Sequence, residues 1–274
     1  MRIVHLSDLH FGHHDPSLAD GLAADIARQK PTLVVVSGDF TQRGTSQEFA
    51  QARAFVDALP APFFAVPGNH DMPLFNLWQR FLDPYHLYRR YISEDLEPFL
   101  EVDGVALAGL KTSRRARPEF NWAHGSISRA QLRRLARTFE RASENALRVV
   151  VAHHPLLQPE IGPDANMRPV RRASAALRAF AEMGVGLVLS GHFHLSYVRK
   201  HVPSEIREGT PPGPRLSSVA PILVVQASST ISTRLRSHPN GYNLVDIAGP
   251  DITVTVRDWI EDRWITREEA SAQS

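Results

Sequence analysis

Apolar residues fall in short blocks divided by polar punctuation along the whole of this 274-residue chain. Ile3-Val4 and residues 33–36, 63–66, 149–151 and 187–189 are blocks of this kind, all too short for a helix. A strand buried on both faces shows no alternation, so these runs read as strands of a mostly parallel sheet. Helical spacing separates them. Asp15-Pro16 opens a helix to about Gln29, with Leu18, Leu22 and Ile26 on one face. Asp15 is placed to cap it, and Pro16 stands at the first helical position, where its missing N–H breaks no hydrogen bond. Pro31 ends it. Ser46 begins a second helix that buries Phe49, Phe55, Val56 and Leu59, and amphipathic helices are expected over residues 128–141 and 170–183. Strand–helix–strand alternation argues for right-handed crossovers between parallel strands.

Other blocks change that picture. Residues 99–102 and 105–110 are joined by Asp103-Gly104, the signature of a hairpin with a type I′ turn. Further strands are expected at 222–227, 243–247 and 252–259, the last alternating cleanly. Antiparallel pairs exclude a purely doubly wound sheet. The expected fold is an α/β four-layer α/β/β/α sandwich, two mixed sheets face to face with helices outside. Residues 72–98 are less regular, with Leu74, Phe75, Trp78, Phe81, Tyr85, Leu87, Tyr88 and Tyr91 on short helices. Their rings are expected to pack over a sheet edge; the alternative is that one or two wall a substrate pocket. Residues 203–219, rich in Pro, Gly and Ser, read as an exposed loop. One domain is expected over 1–265, with a frayed tail at 266–274.

Composition adds mainly exclusions. A hydrophobic content of 43% over this length suffices for a single large core. The chain has no cysteine, which removes disulfides and thiolate chemistry. No apolar run approaches the ~18 residues of a membrane span, and the first strand begins at Arg2, so a cytoplasmic protein without a signal peptide is expected. Thirty-one basic side chains face 29 acidic ones, a formal charge of +2 despite a sequence pI near 9.1. That describes a mixed surface, and nucleic acid is not an expected partner.

The polar punctuation carries the chemistry. Five segments follow the apolar runs in order: Asp8-Leu9-His10, Gly38-Asp39, Gly68-Asn69-His70-Asp71, Ala152-His153-His154 and Gly191-His192-Phe193-His194. Side chains just past the carboxyl ends of parallel strands converge on one crevice. Carboxylates, imidazoles and a carboxamide without thiolate suit Mn, Fe, Co or Zn. Each segment alone is weak, since Asp-x-His and Gly-Asp are common. The full ordered set points to a dinuclear hydrolase. Two ions ~3.5–4 Å apart can clamp both oxygens of an in-line phosphoryl displacement and generate hydroxide at neutral pH. Asp39 is expected to bridge them through its two oxygens. Substrate contacts are less legible: Arg114, within Lys111 to Arg115, and Arg234, within Ser228 to Arg236, are candidate phosphate cations. His154, His13 and His14 are candidates for the mouth of the site.

The five segments resemble the calcineurin-like metallophosphoesterase superfamily, whose pattern is D-x-H, GD, GNH[DE], H and GHxH. The likeness runs from Met1 to about Leu195 with no motif residue missing, and the GNHD form is similar to that of bacterial small-molecule phosphodiesterases. The resemblance implies the four-layer sandwich and two divalent ions. One would be held by Asp8, His10, Asp39 and His194, the other by Asp39, Asn69, His153 and His192. It favours His153 over His154, a choice strand alternation leaves open. It implies a catalytic His70, standing over the metals to stabilise or protonate the leaving oxygen, with Asp71 accepting a hydrogen bond from its ring. The implied reaction is attack of a metal-bridging hydroxide on a phosphodiester of a small molecule, such as a cyclic nucleotide or glycerophosphodiester. A phosphomonoesterase is the close alternative, a DNA nuclease or a non-catalytic scaffold the distant ones. Homo-oligomerisation is compatible with the sequence.

Overall fold

The apolar blocks form strands whose alternate side chains serve two different cores. The structure is a computed structural model describing residues 1–114, 124–160, 167–202 and 220–267 and the backbone of 270–271. Chain order begins β1 (Arg2–Leu6), α1 (Pro16–Gln29), β2 (Leu33–Val36), α2 (Ser46–Asp57), β3 (Phe63–Ala65), α3 (Leu77–Leu82) and α4 (His86–Tyr91). Then come β4 (Phe99–Val102), β5 (Val105–Leu110), α5 (Arg129–Phe139), β6 (Leu147–Ala152), α6 (Ala173–Glu182) and β7 (Val185–Ser190). Strands β8 (Tyr197–His201), β9 (Ile222–Gln226), β10 (Gly241–Ala248), β11 (Asp251–Ile260), β12 (Arg263–Thr266) and β13 (Ala270–Ser271) follow.

Two mixed sheets result. One runs β12-β11-β10-β1-β2-β3 with β13 also on β11, the other β4-β5-β6-β7-β9-β8. Strands β1, β2 and β3 are parallel, as are β5, β6, β7 and β9. The antiparallel pairs are β4 with β5, β1 with β10, β10 with β11, β8 with β9, and β11 with both β12 and β13. Ile3, Leu33, Val35 and Phe64 of the first sheet meet Leu107, Val149, Val151, Leu187 and Leu189 of the second. The intervening residues Val4, Leu6, Val34 and Val36 pack under α1 and α2. Ala106, Val150, Val188 and Val224 pack under α5 and α6. Period-two alternation thus builds the expected α/β/β/α layers.

Local signals set most boundaries. Asp15 accepts the Ser17 N–H at 2.9 Å to cap α1, and Lys30 ends it in a left-handed conformation before Pro31. Thr45 and Glu48 form a capping box on α2, which stops at Asp57, so Leu59 packs from beyond the helix. Helix α6 starts later than expected. Val170 and Arg171 donate instead to the carbonyls of Pro155 and Gly125, which ties them to neighbouring loops. Asp103 and Gly104 both have positive φ, 49° and 75°, as a type I′ turn requires.

The aromatic stretch divides in two. Tyr88 is buried against Phe40 and Phe49, Tyr85 is buried and Tyr91 stacks on Phe49. Phe75, Trp78 and Leu82 are 74%, 80% and 77% exposed, contrary to the expected packing of the whole stretch. Helix α3 turns its polar side inward: Arg80 is its buried residue, and Leu77, Trp78, Phe81 and Leu82 share the exposed face. Strand β12 extends to Thr266, and Ala270–Ser271 pairs with β11. The loop expected at 203–219 lies outside the described residues. Among the described residues, no helix is long and apolar enough to cross a membrane.

Candidate metal centre

The segments after β1 and β2 are zipped together by their backbones. Asp8 N–H donates to Gly38 O at 3.0 Å, His10 N–H to Asp39 O at 3.0 Å and Phe11 N–H to Phe40 O at 2.8 Å. Asp8, His10, Asp39, His192 and His194 all sit at positive φ, between 50° and 76°. Such a conformation costs a non-glycine residue about 1–3 kcal/mol and persists where surrounding contacts over-determine it. Here it turns successive polar side chains toward one place. Close approach fixes two motif glycines: a Cβ on Gly68 would fall 2.0 Å from Asp39 Oδ1, and one on Gly191 1.7 Å from Ser7 Oγ.

Two sets of acceptor atoms meet in that place. In the first, His194 Nε2 lies 3.2 Å from Asp8 Oδ1 and 3.3 Å from His10 Nε2, which is 3.8 Å from Asp39 Oδ2. In the second, His153 Nε2 lies 3.2 Å from Asp39 Oδ2 and 3.1 Å from Asn69 Oδ1. A ring nitrogen of His192 falls within 4.8 Å of those of His153 and of a carboxylate oxygen of Asp39. The same Asp39 oxygen, Oδ2, faces both sets. Its Oδ1 accepts the His70 N–H at 2.8 Å, so the expected use of both oxygens is replaced by a single oxygen between the sets.

The donor chemistry fits divalent cations. His153 Nδ1 donates to Ser37 O at 2.8 Å and His194 Nδ1 to Arg234 O at 2.9 Å, which leaves each Nε2 lone pair pointing inward. His153 Nε2, Asp39 Oδ2 and Asn69 Oδ1 are then three acceptors with no proton among them. Asp8 Oδ1 is buried and accepts no hydrogen bond. Without a cation, the chain can relieve this only by protonation. Burial lowers the His153 pKa, but the Asp39 charge and hydrogen bond outweigh it and lift the ring to about 9. Burial likewise lowers His194 and Asp8 outweighs it, a net rise. Burial pushes His10 down, and burial with the neighbouring His153 drives His192 to about 3. Protonation is thus favoured at one ring of each set, His153 and His194, where a cation would relieve the same charge.

His70 stands beside the first set, its ring 4.8 Å from that of His10 and at 83° to it. Its Nδ1 donates to Gln42 O at 2.8 Å. The expected hydrogen bond to Asp71 is not made. Asp71 curls back within its turn and accepts from Gly68 N–H at 2.8 Å, Thr41 N–H at 3.0 Å and Thr41 Oγ1 at 3.2 Å. It braces the turn that presents Asn69 and His70 and leaves the ring to a backbone carbonyl.

An open cleft of about 510 Å³ lies over the centre, bordered by Asp39, Asn69, His70, His192 and His194. Its outer wall holds His124, Met167, Arg168, Phe193 and Arg234 to Arg236. Arg234 thus lies where a substrate cation was expected, whereas Arg114 and His154 do not. Arg114 donates to Ser126 Oγ, Ser126 O and Gln131 Oε1 at 2.6–2.7 Å and belongs to the start of α5. His154 is buried against Thr112 Oγ1 at 2.7 Å, behind the ring of His192. His13 bonds Thr233 Oγ1 at 2.7 Å, His14 bridges to Ser232, and neither borders the cleft. Arg115 lies outside the described residues.

Sequence reading missed the supports. Ser7 Oγ donates to Asp8 Oδ2 at 2.6 Å and Ser229 Oγ to Asp8 O at 2.8 Å. His5 holds Ser37, whose carbonyl orients His153. Gln226 donates to Gly191 O and takes Ser190 Oγ–H at 2.8 Å. A polar residue closing the apolar run of β9 was the one available signal for Gln226. Arg168 had none.

Comparison with known proteins agrees with this geometry. Residues 1–196 match the calcineurin-like phosphoesterase family. A probable glycerophosphodiester phosphodiesterase of Arcobacter nitrofigilis is 26% identical over 129 residues, 47% of this chain and 44% of its own length. A glycerophosphodiester phosphodiesterase of Enterobacter lignolyticus is 35% identical over 82 residues, 26% of this chain and 30% of its own. The chain thus spans less than half the length of these curated relatives. A dimetal phosphatase from Danio rerio superposes with a TM-score of 0.65 over 97% of this chain and 98% of that one, at 14% identity, a likeness of fold. Matched over residues 1–196, and with every motif seated at a strand end of the two-sheet sandwich, the chain belongs to the calcineurin-like phosphoesterase family.

Proposed function

We propose that this chain is a dinuclear-metal-dependent hydrolase that cleaves a phosphodiester bond of a small molecule, the class that includes cyclic nucleotides and glycerophosphodiesters. The observation that carries the reading is the Asp39 oxygen shared between two acceptor sets on the floor of an open cleft. Asp8, His10, Asp39 and His194 would hold one ion, and Asp39, Asn69, His153 and His192 the other. Bound there, divalent ions supply Lewis acidity and a water activated near neutral pH. The two glycerophosphodiester phosphodiesterases that the chain resembles support the diester class.

The chain's own groups do the rest. Asn69 contributes a neutral amide oxygen, which leaves more positive charge for the phosphoryl oxygens than a carboxylate would. His70 commits Nδ1–H to Gln42 O, so Nε2 is its cleft-facing nitrogen and donates only when the ring is an imidazolium. In that state it is placed to hydrogen-bond the phosphoryl group or protonate the departing ester oxygen. Asp71 and Thr41 act by positioning, since they hold the turn on which Asn69 and His70 ride.

A phosphomonoesterase is the second reading, because Arg168, Arg234 and Arg236 border the cleft and suit a dianion. With Mn²⁺ supplied, kcat/KM is expected to be higher for bis(p-nitrophenyl) phosphate than for p-nitrophenyl phosphate. A tenfold preference for the monoester, ~1.4 kcal/mol in transition-state binding, would hand the assignment to the second reading.

A further inference from the structure

Beneath the metal centre, polar side chains stand where the fold alone calls for apolar ones. His5 of β1 and Asn243 of β10 are register partners, two residues along from Ile3 and Val245 of the core between the sheets. By strand alternation they continue that inward face. Gln226 of β9 and Ser190 of β7 are register partners at strand ends of the second sheet. All four residues are buried. Asn243 Nδ2–H donates to His5 Nδ1 at 3.3 Å and, across the sheets, to Gln226 O at 3.2 Å. Accepting at Nδ1 leaves the His5 Nε2–H to donate to Ser37 Oγ at 3.0 Å. Burial keeps this ring neutral, its pKa down at about 3. From that junction two arms run to the centre. One passes through Ser37, whose carbonyl accepts the His153 Nδ1–H at 2.8 Å. The other passes through Gln226, which takes Ser190 Oγ–H at 2.8 Å and donates to Gly191 O, the carbonyl of the peptide that leads into His192.

Both arms end on the imidazoles of one acceptor set, that of Asp39, Asn69, His153 and His192. The other set is held differently. Asp8 is supported by Ser7, Ser229 and the His192 N–H, and His194 by Arg234 O, while His10 Nδ1 has no hydrogen-bond partner among the described residues. Within the network, Asn243 Oδ1 is itself buried without a partner. An unpaired amide oxygen in an apolar core costs folding free energy, and an apolar side chain of like shape would remove that cost. The fold therefore does not account for these residues, whereas the two rings do. We propose that His5, Asn243 and Gln226 are positioning residues for the ion of the His153 and His192 set: they hold both rings from across the two sheets, set the affinity of that ion and not of the other, and lower the stability of the metal-free fold. This rests on the dinuclear reading. Rings that are already oriented lose less freedom when an ion arrives, so the network acts on metal binding and takes no part in bond cleavage.

Asn243→Leu, Gln226→Met and His5→Phe test this beside the wild type, with Mn²⁺ added back to chelated protein. Calorimetric titration of the wild type is expected to show two ions. In each variant the affinity for one ion should fall about tenfold or more, and that for the other should stay within about twofold. At two equivalents of Mn²⁺, the electron paramagnetic resonance signal of a spin-coupled pair should give way to that of an isolated ion. Ser7→Ala, which acts on the Asp8 set, should weaken the ion that the three variants spare. Urea midpoints of the chelated variants should equal or exceed that of the wild type. Affinities that fall equally for both ions, or that do not fall, overturn the proposal. So does a urea midpoint lowered together with metal affinity in every variant, which assigns the network to the fold. Should one variant fail to fold, the other two carry the same comparison. A wild type that takes up a single ion overturns the dinuclear reading and this proposal together. A wild type with two ions, both indifferent to the network, overturns the proposal alone.

Discussion

The left-handed conformations of Asp8, His10, Asp39, His192 and His194 are stored at single residues, and their release is what point variants will read. Asp39 contributes its Oδ2 to both acceptor sets, so Asp39→Ala should abolish activity and lower metal content at both positions by elemental analysis. Asp8→Ala should remove one set and spare part of the second. Equal metal retention in the two variants would remove the shared role of Asp39. A support behaves differently. Ser7→Ala removes one hydrogen bond to Asp8 Oδ2, and loss of such an outer partner typically weakens metal binding about 10–100-fold. An unchanged Mn²⁺ titration would show that the His192 N–H, which also donates to that oxygen at 2.8 Å, suffices alone. In His70→Ala, diesters with poor leaving groups should suffer more than p-nitrophenyl esters, which need little protonation on departure. Equal loss of kcat/KM for both kinds of leaving group rules the role out. The residues of the two acceptor sets were legible in the sequence because residue type and strand-end position single them out. The partner of His70 was not, because adjacency in Asn69-His70-Asp71 does not reveal which way a turn residue curls.

At the scale of elements, legibility followed local chemistry. The 103–104 turn, the cap at Asp15, and the apolar runs of β1, β2, β6 and β7 are decided within a few residues, and the structure has them where the sequence places them. The start of α6 was decided by backbone bonds to Pro155 and Gly125, far away in sequence, and no local signal reports those. Helix α3 failed for another reason: hydrophobicity predicts burial only where a face can be covered. Trp78→Ser is therefore expected to shift stability by no more than about 0.5 kcal/mol, whereas Tyr88→Ala, emptying a fully buried site, should cost several. Arg114 makes the same point about charge. Its three hydrogen bonds join the segment after β5 to the start of α5. Arg114→Ala should lower stability by about 1–3 kcal/mol without raising KM. Denaturant melts and steady-state kinetics on one preparation separate the two outcomes, and a raised KM at unchanged stability would restore Arg114 to the substrate.

Across the whole molecule, the centre is a place where polar groups from the ends of both sheets meet. Asp8, His10, Asp39 and Asn69 follow β1, β2 and β3 of one sheet, while His153, His192 and His194 follow β6 and β7 of the other. Ions bound between them act as a clasp, and any ligand that binds only the folded chain stabilises it, by about 2.7 kcal/mol at a hundredfold excess over Kd. For a chain of this size that is a rise in Tm of roughly 5 °C or more. The pH dependence has a definite sign. In chelated protein the folded pKa of His153 is raised from its ordinary 6.5 to about 9 by Asp39. The stability it contributes is then fully present below pH 6.5 and lost as pH rises through 9. Metal binding must displace that proton, so it strengthens over the same interval. The gain in Tm from Mn²⁺ over chelated protein should therefore be larger at pH 8.5 than at pH 6, and it should collapse in Asp39→Ala at both. A gain that is constant with pH, or larger at the acidic end, would mean that the proton on His153 and the metal do not compete for the same lone pair.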